Sequence, residues 1–559
     1  MPQCLKCHLS FSVDSKDKKI LDRLDVSEPQ LCFEHSLQHR MLFRNERHLY
    51  RRNCGLCGKS ILSVYSQHSP ATVYCRPCWY SDNWDALQYG RDYDAKRPFF
   101  EQIGELIRQV PHFNLWQVGR NENCEYTNAI INSKDCYLTF SCLEGVGCIY
   151  CEQVGFCRDC VDCFLIDNSE LLYDCVITRD SYASAFLTRC EKCSSCYLGR
   201  HLFDCQDCFG SVNLRHKRFY WYNEPLVEEE YRRRLTEALR NRESFDIHRR
   251  RFAEHQKQFP LEYARNRASE NITGQEINKC RNIRRCILLE NCDNCSESHD
   301  IWNSKDCYRT NHTEVLENSY EVSSAVHVTN ARFSFITEES SFLDYCYSCY
   351  TSTQLFGCVG LRGKKFCILN KQYEEKSYQT LRAQIIAAMK TNDEWGKFFP
   401  PQYSLQAYND TIAYRHFPLT KEQVSIFGMR WEDDQGGIRD KETLSVERVP
   451  TAISETSASI TKEILRCVSC GLNYRIQLKE LQVLQSVRLS VPTECHECRF
   501  RKRFYDRTYI ARLYERQCNC DHAHDFHKAQ RCPNRFFTAY SQDRSEKIFC
   551  SPCFQEEIF

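Results

Sequence analysis

Cysteine and histidine at metal-ligating spacings gather at both ends of this chain of 559 residues, which contains 39 cysteines. At the N-terminus, Cys4 and Cys7 form one two-residue-spaced pair, Cys32 and His35 a second, Cys54 and Cys57 a third, and Cys75 and Cys78 a fourth. Zinc takes four tetrahedral thiolate or imidazole ligands, and two such knuckles supply them. Sequential pairing puts Cys4, Cys7, Cys32 and His35 on one ion, with His39 an alternative to His35. It puts Cys54, Cys57, Cys75 and Cys78 on another. The C-terminus repeats the plan with Cys467, Cys470, Cys495 and Cys498, followed by Cys518, Cys532, Cys550 and Cys553. A loop after Cys518 holds Cys520, His522, His524 and His527, so Cys520 competes with Cys518 for the last site. Each set has four ligands and no open position, which is the structural rather than the catalytic pattern, so about four zinc ions per chain are expected.

These knuckles belong to a duplicated module. Cys7 to Cys32 spans 25 positions, as does Cys470 to Cys495; Cys57 to Cys75 spans 18, as does Cys532 to Cys550. Tyr65-Ser66-Gln67 recurs as Tyr540-Ser541-Gln542. The sequence Cys467-Val-Ser-Cys470-Gly471, a spacer, and Cys495-His-Glu-Cys498-Arg499 resembles the "probable zinc-ribbon domain" family. The ending Phe549-Cys550-Ser-Pro-Cys553-Phe554 is similar to the ribbon that follows it in that family. The whole layout resembles cysteine-rich proteins of small-genome, uncultivated bacteria. The resemblance implies zinc, and nucleic-acid or protein binding, without a defined activity; His35 departs from it, since the family has cysteine there.

Helical elements must position these ligands, and each module carries a basic, aromatic stretch. Gln38 to Arg52 contains Arg40, Arg44, Arg47 and Arg51 with Phe43 and Tyr50. Arg499 to Arg516 contains Arg499, Arg501, Lys502, Arg503 and Arg507 with Phe504 and Tyr505. Neither stretch has Gly or Pro, so both are expected to be helical. Arginine suits phosphate and aromatic rings suit base stacking, so these residues are candidate nucleic-acid contacts. The competing reading pairs them with acids elsewhere in the chain.

The centre is repetitive. Asn132-Ser-Lys-Asp-Cys136-Tyr137 recurs as Asn303-Ser-Lys-Asp-Cys307-Tyr308, and Phe209-Gly210 with Asn223 recurs as Phe356-Gly357 with Asn370. Within each half, β-rich pieces recur at steps of 12 or 13, as at Cys124, Cys136 and Cys148. That period predicts a parallel β-solenoid, twelve residues being a whole small coil or half of a larger one. Ser319 stands in phase with Cys307, so cysteine there reads as a small inward-facing residue. The runs Cys157-x-x-Cys160-x-x-Cys163 and Cys190-x-x-Cys193-x-x-Cys196 offer an iron–sulfur cluster as the rival.

The expected fold is mainly β with helical inserts: a central parallel β-solenoid of ~12-residue rungs flanked by N- and C-terminal double zinc-ribbon or treble-clef-like modules. The expected divisions are an N-terminal module at 1–95, a helical connector at 96–122 and a first solenoid half at 123–222. A helical insert at 223–275, a second half at 276–370, a helical segment at 371–440, a linker at 441–462 and a C-terminal module at 463–559 follow. The start is no signal peptide and no run reaches ~18 apolar residues, so a cytoplasmic protein with reduced thiols and no membrane partner is expected. A formal net charge of +1 requires any nucleic-acid affinity to come from a local patch. Phosphate-loop, metalloprotease and serine-hydrolase motifs are missing. The leading function is a non-enzymatic zinc scaffold that binds RNA or DNA, structured RNA being one candidate, through the basic aromatic helices of its end modules. A protein-assembly scaffold is second, and a carbohydrate-active solenoid enzyme third.

Overall fold

Parallel pairing in the chain's centre advances by twelve residues. Phe140 pairs with Glu152, Glu152 with Phe164, Phe164 with Val176, and Val176 with Thr188. In the second half Ser323 pairs with Phe335 and Phe335 with Tyr347, while Leu343 pairs with Leu355 and Leu355 with Cys367. The computed structural model describes residues 1–266, 269–270, 274–278, 286–290, 299–302, 311–313, 316–317, 319–506, 513–528 and 531–558. The second copy of the Asn-Ser-Lys-Asp-Cys-Tyr motif, and Arg507, lie outside these residues. Two large, mainly parallel sheets result, running from Gln117–Val118 to Glu224–Pro225 and from Gly274–Asn278 to Lys371–Gln372.

A second period lies inside the first. Every third residue from Asn123 to Tyr222, and again from Glu321 to Leu369, has a left-handed φ. Non-glycine residues resist that conformation by about 1–2 kcal/mol each. Part of the compensation comes from side chains at these corners that meet their counterparts twelve residues on. Asn123 donates to Asp135 at 3.0 Å and Asn168 to Asp180 at 2.6 Å, while His327 faces Glu339 at 2.6 Å. The residue after each corner turns inward. Cys136, Cys148, Cys151, Cys157, Cys160, Cys163, Cys175, Cys190, Cys193, Cys196, Cys205 and Cys208 all occupy such positions in one buried core.

That core is narrow. A Cβ on Gly145 would come within 2.4 Å of Cys142 Sγ. Each inward thiol donates to a carbonyl two residues back: Cys160 to Arg158 at 3.3 Å and Cys163 to Val161 at 3.3 Å. Serine does the same with its hydroxyl, Ser169 to Asp167 at 2.8 Å and Ser181 to Arg179 at 2.8 Å. Cysteine is therefore a small apolar residue with a weak donor that fits a corner. Burial pushes the Cys163 thiol up to about 11 and Cys367 up to about 12.

Asn223 and Asn370 close the two ladders, which explains their recurrence. Asn223 accepts from Val212 N at 2.8 Å and donates to Val212 O at 2.7 Å; Asn370 does the same with Val359 at 2.8 and 2.7 Å. Each amide takes the place of the missing next strand, so the edge does not present free backbone groups there. Helices Glu228–Ala238 and Arg242–His255 follow the first ladder as a pair, whereas one long helix, Glu375–Thr391, follows the second.

The end modules dock crosswise. The core of the N-terminal module, with Leu37, Phe43 and Trp79, is continuous through Phe99 of the connector with Tyr345, Tyr347 and Phe356 of the second ladder. Leu481, Leu484 and Val487 of the C-terminal module join Tyr150, Tyr173 and Tyr197 of the first ladder. Val449 and Ile460, in the stretch expected as a linker, are buried in that same core.

Cys160→Ser keeps the corner hydrogen bond and is expected to change the unfolding free energy by about 1 kcal/mol or less. Cys160→Phe overfills the core and is expected to cost about 3 kcal/mol or more. Equal effects in chemical denaturation would contradict the narrow-core account.

Candidate metal centres, their arginine anchors and a basic cavity

The knuckles fold as their sequence requires. The residue after the second position of three of them has left-handed φ: His8, Gly58 and Gly471. Each turn closes on its first cysteine, with His8 N donating to Cys4 O at 2.9 Å, Gly58 N to Cys54 O at 2.9 Å and Gly471 N to Cys467 O at 2.9 Å. The partner knuckle opens a helix. Cys32 precedes Phe33–Met41, Cys75 precedes Arg76–Trp79, Cys495 precedes His496–Asp506, and Cys550 precedes Ser551–Ile558. Backbone N–H groups then face the sulfurs of the first knuckle: Cys75 N lies 3.3 Å from Cys54 Sγ, Cys495 N 3.2 Å from Cys467 Sγ, and Cys550 N 3.2 Å from Cys518 Sγ. Donors at a helix start favour the charged sulfur.

Four groups come together as the spacing predicts, each with its ligand atoms within 4.8 Å of one another: Cys4, Cys7, Cys32 and His35; Cys54, Cys57, Cys75 and Cys78; Cys467, Cys470, Cys495 and Cys498; and Cys518, Cys532, Cys550 and Cys553. His35 is the imidazole of the first, its Nδ1 lying 3.4 Å from Cys4 Sγ and 3.2 Å from Cys32 Sγ. His39 is elsewhere: its Nε2 faces Phe399 O at 2.8 Å, and burial pushes it down to about 3. Cys518, not Cys520, completes the fourth group. A fifth group, Cys520, His524, His527 and Cys553, was not foreseen as a set, although the sequence shows its residues in one loop. Among the described residues, every such group lies in the end modules, and the Cys-x-x-Cys-x-x-Cys runs are corner residues of the ladder instead.

The basic stretches are only partly helical. Helix ends at Met41 in the first, and Arg51 lies in strand Tyr50–Asn53, paired with Ser60–Ser63 around the Cys54–Cys57 turn. The second has helix His496–Asp506, then strand Tyr514–Gln517 paired with Arg535–Thr538. The knuckle hairpins override the continuous helical pattern.

Most of the expected nucleic-acid contacts are buried against carboxylates. Arg40 is fully buried and bonds Glu321. Arg44 pairs with Glu46 and donates to Ser324 Oγ at 3.0 Å. Arg47 bridges Glu152 at 3.1 Å and Glu497 at 3.3 Å, with its guanidinium 3.7 Å over the Phe500 ring. Arg499 holds Asp162 at 2.6 Å and Glu480 at 2.8 Å. Arg503 holds Asp162 at 2.8 Å and Asp174 at 3.1 Å; burial opposes its charge, but the two carboxylates keep its pKa above the usual value. Arg501, Lys502 and Arg51 are exposed; Lys502 meets Glu494 at 2.6 Å and Arg51 donates to Tyr126 Oη at 2.9 Å. Other buried acids are engaged likewise: Arg415 also holds Glu152 at 2.8 Å, and Asp344 is shared by Arg332 and Arg382 at 2.6 Å each.

A cavity of about 860 Å³ opens between the first ladder, helix Arg242–His255 and the C-terminal module. Arg189, Arg200, His201, Arg242, Lys502 and Arg544 are among its lining residues. Arg200 donates to Gln256 O at 2.8 Å, and Arg242 to Pro450 O and Val491 O at 3.1 Å each. The Nε atoms of both are buried without a hydrogen-bond partner. Burial, with Arg189 nearby, pushes Arg200 down to about 10, and burial takes His201 well below the ordinary imidazole range. Sequence reasoning missed this site because its cations lie on separate elements.

No protein-family model matches the chain, and no curated protein matches it. No helix among the described residues is long and apolar enough to cross a membrane.

Removing one partner of a buried ion pair strands the other, at a cost of about 3–5 kcal/mol. Asp162→Asn, which weakens both arginine contacts, is expected to lower stability by about 3 kcal/mol, with little response to salt. Lys502→Ala is expected to leave the melting temperature unchanged. Similar losses from both substitutions would contradict the anchoring role.

Proposed function

We propose that the protein is a zinc-stapled, non-catalytic scaffold that binds nucleic acid, RNA or DNA, in the basic cavity. Its centre is a duplicated β-solenoid of twelve-residue coils, carried between zinc-ribbon or treble-clef-like modules in the divisions expected from the sequence. Thiolate-rich tetrahedral sets suit zinc, which has no geometric demand beyond four ligands. The reading places the protein in a reducing compartment such as the cytoplasm, where its cysteines remain available to metal.

The observation that carries the ligand assignment is the state of Arg200 and Arg242. Both are drawn into the cavity wall and, in the contacts above, donate to neutral carbonyls rather than to carboxylates. Guanidinium charges set in a cavity wall with only carbonyls in those contacts favour an anion beside them, and phosphate accepts from guanidinium in a fork. Lys502 joins them in the cavity wall, so part of the basic helix contributes to the interface, while Arg40, Arg44, Arg47, Arg499 and Arg503 hold the fold. The burial of those five also favours a second reading, an assembly scaffold for another protein.

Fluorescence anisotropy of the zinc-loaded full chain with labelled single-stranded RNA and DNA separates the readings. Salt-sensitive binding is expected, with Arg200→Gln/Arg242→Gln about tenfold weaker. The slope of log affinity against log salt is expected to fall by about 1.4 for two lost phosphate contacts on a single strand. No binding at low salt, or a double variant that binds as wild type does, would overturn the nucleic-acid reading. Co-purification of a protein that survives nuclease would then support the assembly scaffold.

A further inference from the structure

We infer that the C-terminal module holds two metal ions joined by one thiolate, Cys553, so that the chain takes five zinc ions rather than four. This rests on the reading of the end modules as zinc sites. Cys553 belongs to two four-ligand groups at once, one with Cys518, Cys532 and Cys550, the other with Cys520, His524 and His527. In the second, Cys520 Sγ lies 3.1 Å from His524 Nε2 and Cys553 Sγ 3.2 Å from His527 Nε2. Cys520 and Cys553 are fully buried, His527 is 7% exposed and the His524 side chain 7% exposed. Two cysteines and two histidines form a closed zinc set with no position left for substrate.

The loop that carries this set is an insertion. Cys54 and Cys57 are three positions apart, whereas their counterparts Cys518 and Cys532 are fourteen apart. The inserted residues include Asp521, His522, His524, Asp525 and Lys528, and its one large apolar side chain, Phe526, is half exposed. Such a segment buries too little apolar area to offset the entropy of ordering it. Its backbone nevertheless closes a tight turn, with reciprocal bonds between His524 and His527 of 3.1 and 3.0 Å. The turn brings both imidazoles to Cys520 and Cys553, and Phe526 stacks on His524 at 5.1 Å. A metal ion supplies the missing ordering energy.

Charge balance favours the second ion. A lone tetrathiolate zinc site carries two net negative charges. Five thiolates on two divalent cations carry one, because Cys553 serves both. The remaining charge lies beside Glu557, whose carboxylate is 3.6 Å from His524 Nε2 and also bonds His522.

Native mass spectrometry with elemental analysis of the full chain tests the inference. Wild type is expected to carry five zinc ions, and His524→Ala/His527→Ala four. Cys553→Ser, which removes a ligand from both ions, is expected to carry three. His522→Ala, outside the set, is expected to keep five. Three or four ions in wild type, or five that persist in the double-histidine variant, would overturn the second ion. A loss of only one ion in Cys553→Ser would overturn the shared thiolate. Two ions or fewer in wild type would instead overturn the module reading on which the inference rests.

Discussion

Buried arginine–carboxylate contacts join the parts of this molecule. The ladders present acids at Glu152, Asp162, Asp174, Glu321 and Asp344, and arginines from outside elements reach in to them. Arg47 is the joint of highest consequence, since it links the first ladder through Glu152 to the C-terminal module through Glu497 while rising from the N-terminal module. Such pairs contribute little net stability compared with apolar packing, but they penalise any arrangement that leaves one charge buried alone. They therefore act on specificity: each module is held to one face of one ladder.

The same contact occurs twice, which ties the two duplications together. Arg40 and Arg503 both stand eight positions after the cysteine that opens their helix, Cys32 and Cys495. Their partners, Glu321 and Asp174, are separated by 147 positions, the offset that relates Phe356 to Phe209. Module and ladder thus appear as a repeated pair, docked crosswise. The copies diverge at the cavity. At the same offset from Arg200 stands Tyr347, fully buried and 5.5 Å from the His112 ring. An aromatic core occupies one copy where the other has a buried arginine in the cavity wall.

Metal knuckles and the twelve-residue step were legible in the sequence because both are local: two-residue spacing, a glycine after the knuckle, and a period that survives the change from Cys307 to Ser319. The inner period of three was present in Cys157-x-x-Cys160-x-x-Cys163 but is ambiguous, since a metal cluster and a corner every third residue produce the same string. The arginines were misleading for a different reason. Composition fixes a basic, aromatic helix but not its partner, and Arg503 finds Asp162 across 341 positions. The cavity was hidden likewise, because Arg200 and Arg242 converge only once the helical insert packs on the ladder.

Two populations of cysteine follow from these geometries: ladder thiols that fill the narrow core, and end-module cysteines grouped as candidate metal ligands. Site-resolved alkylation of the native protein, before and after a chelator, tests that division most directly. The account predicts that chelation makes the end-module cysteines reactive, from Cys4 to Cys78 and from Cys467 to Cys553. Cys136 to Cys208 should stay unmodified until the chain is denatured. Ladder cysteines that react in the native protein, or that become reactive together with the end modules, would contradict it.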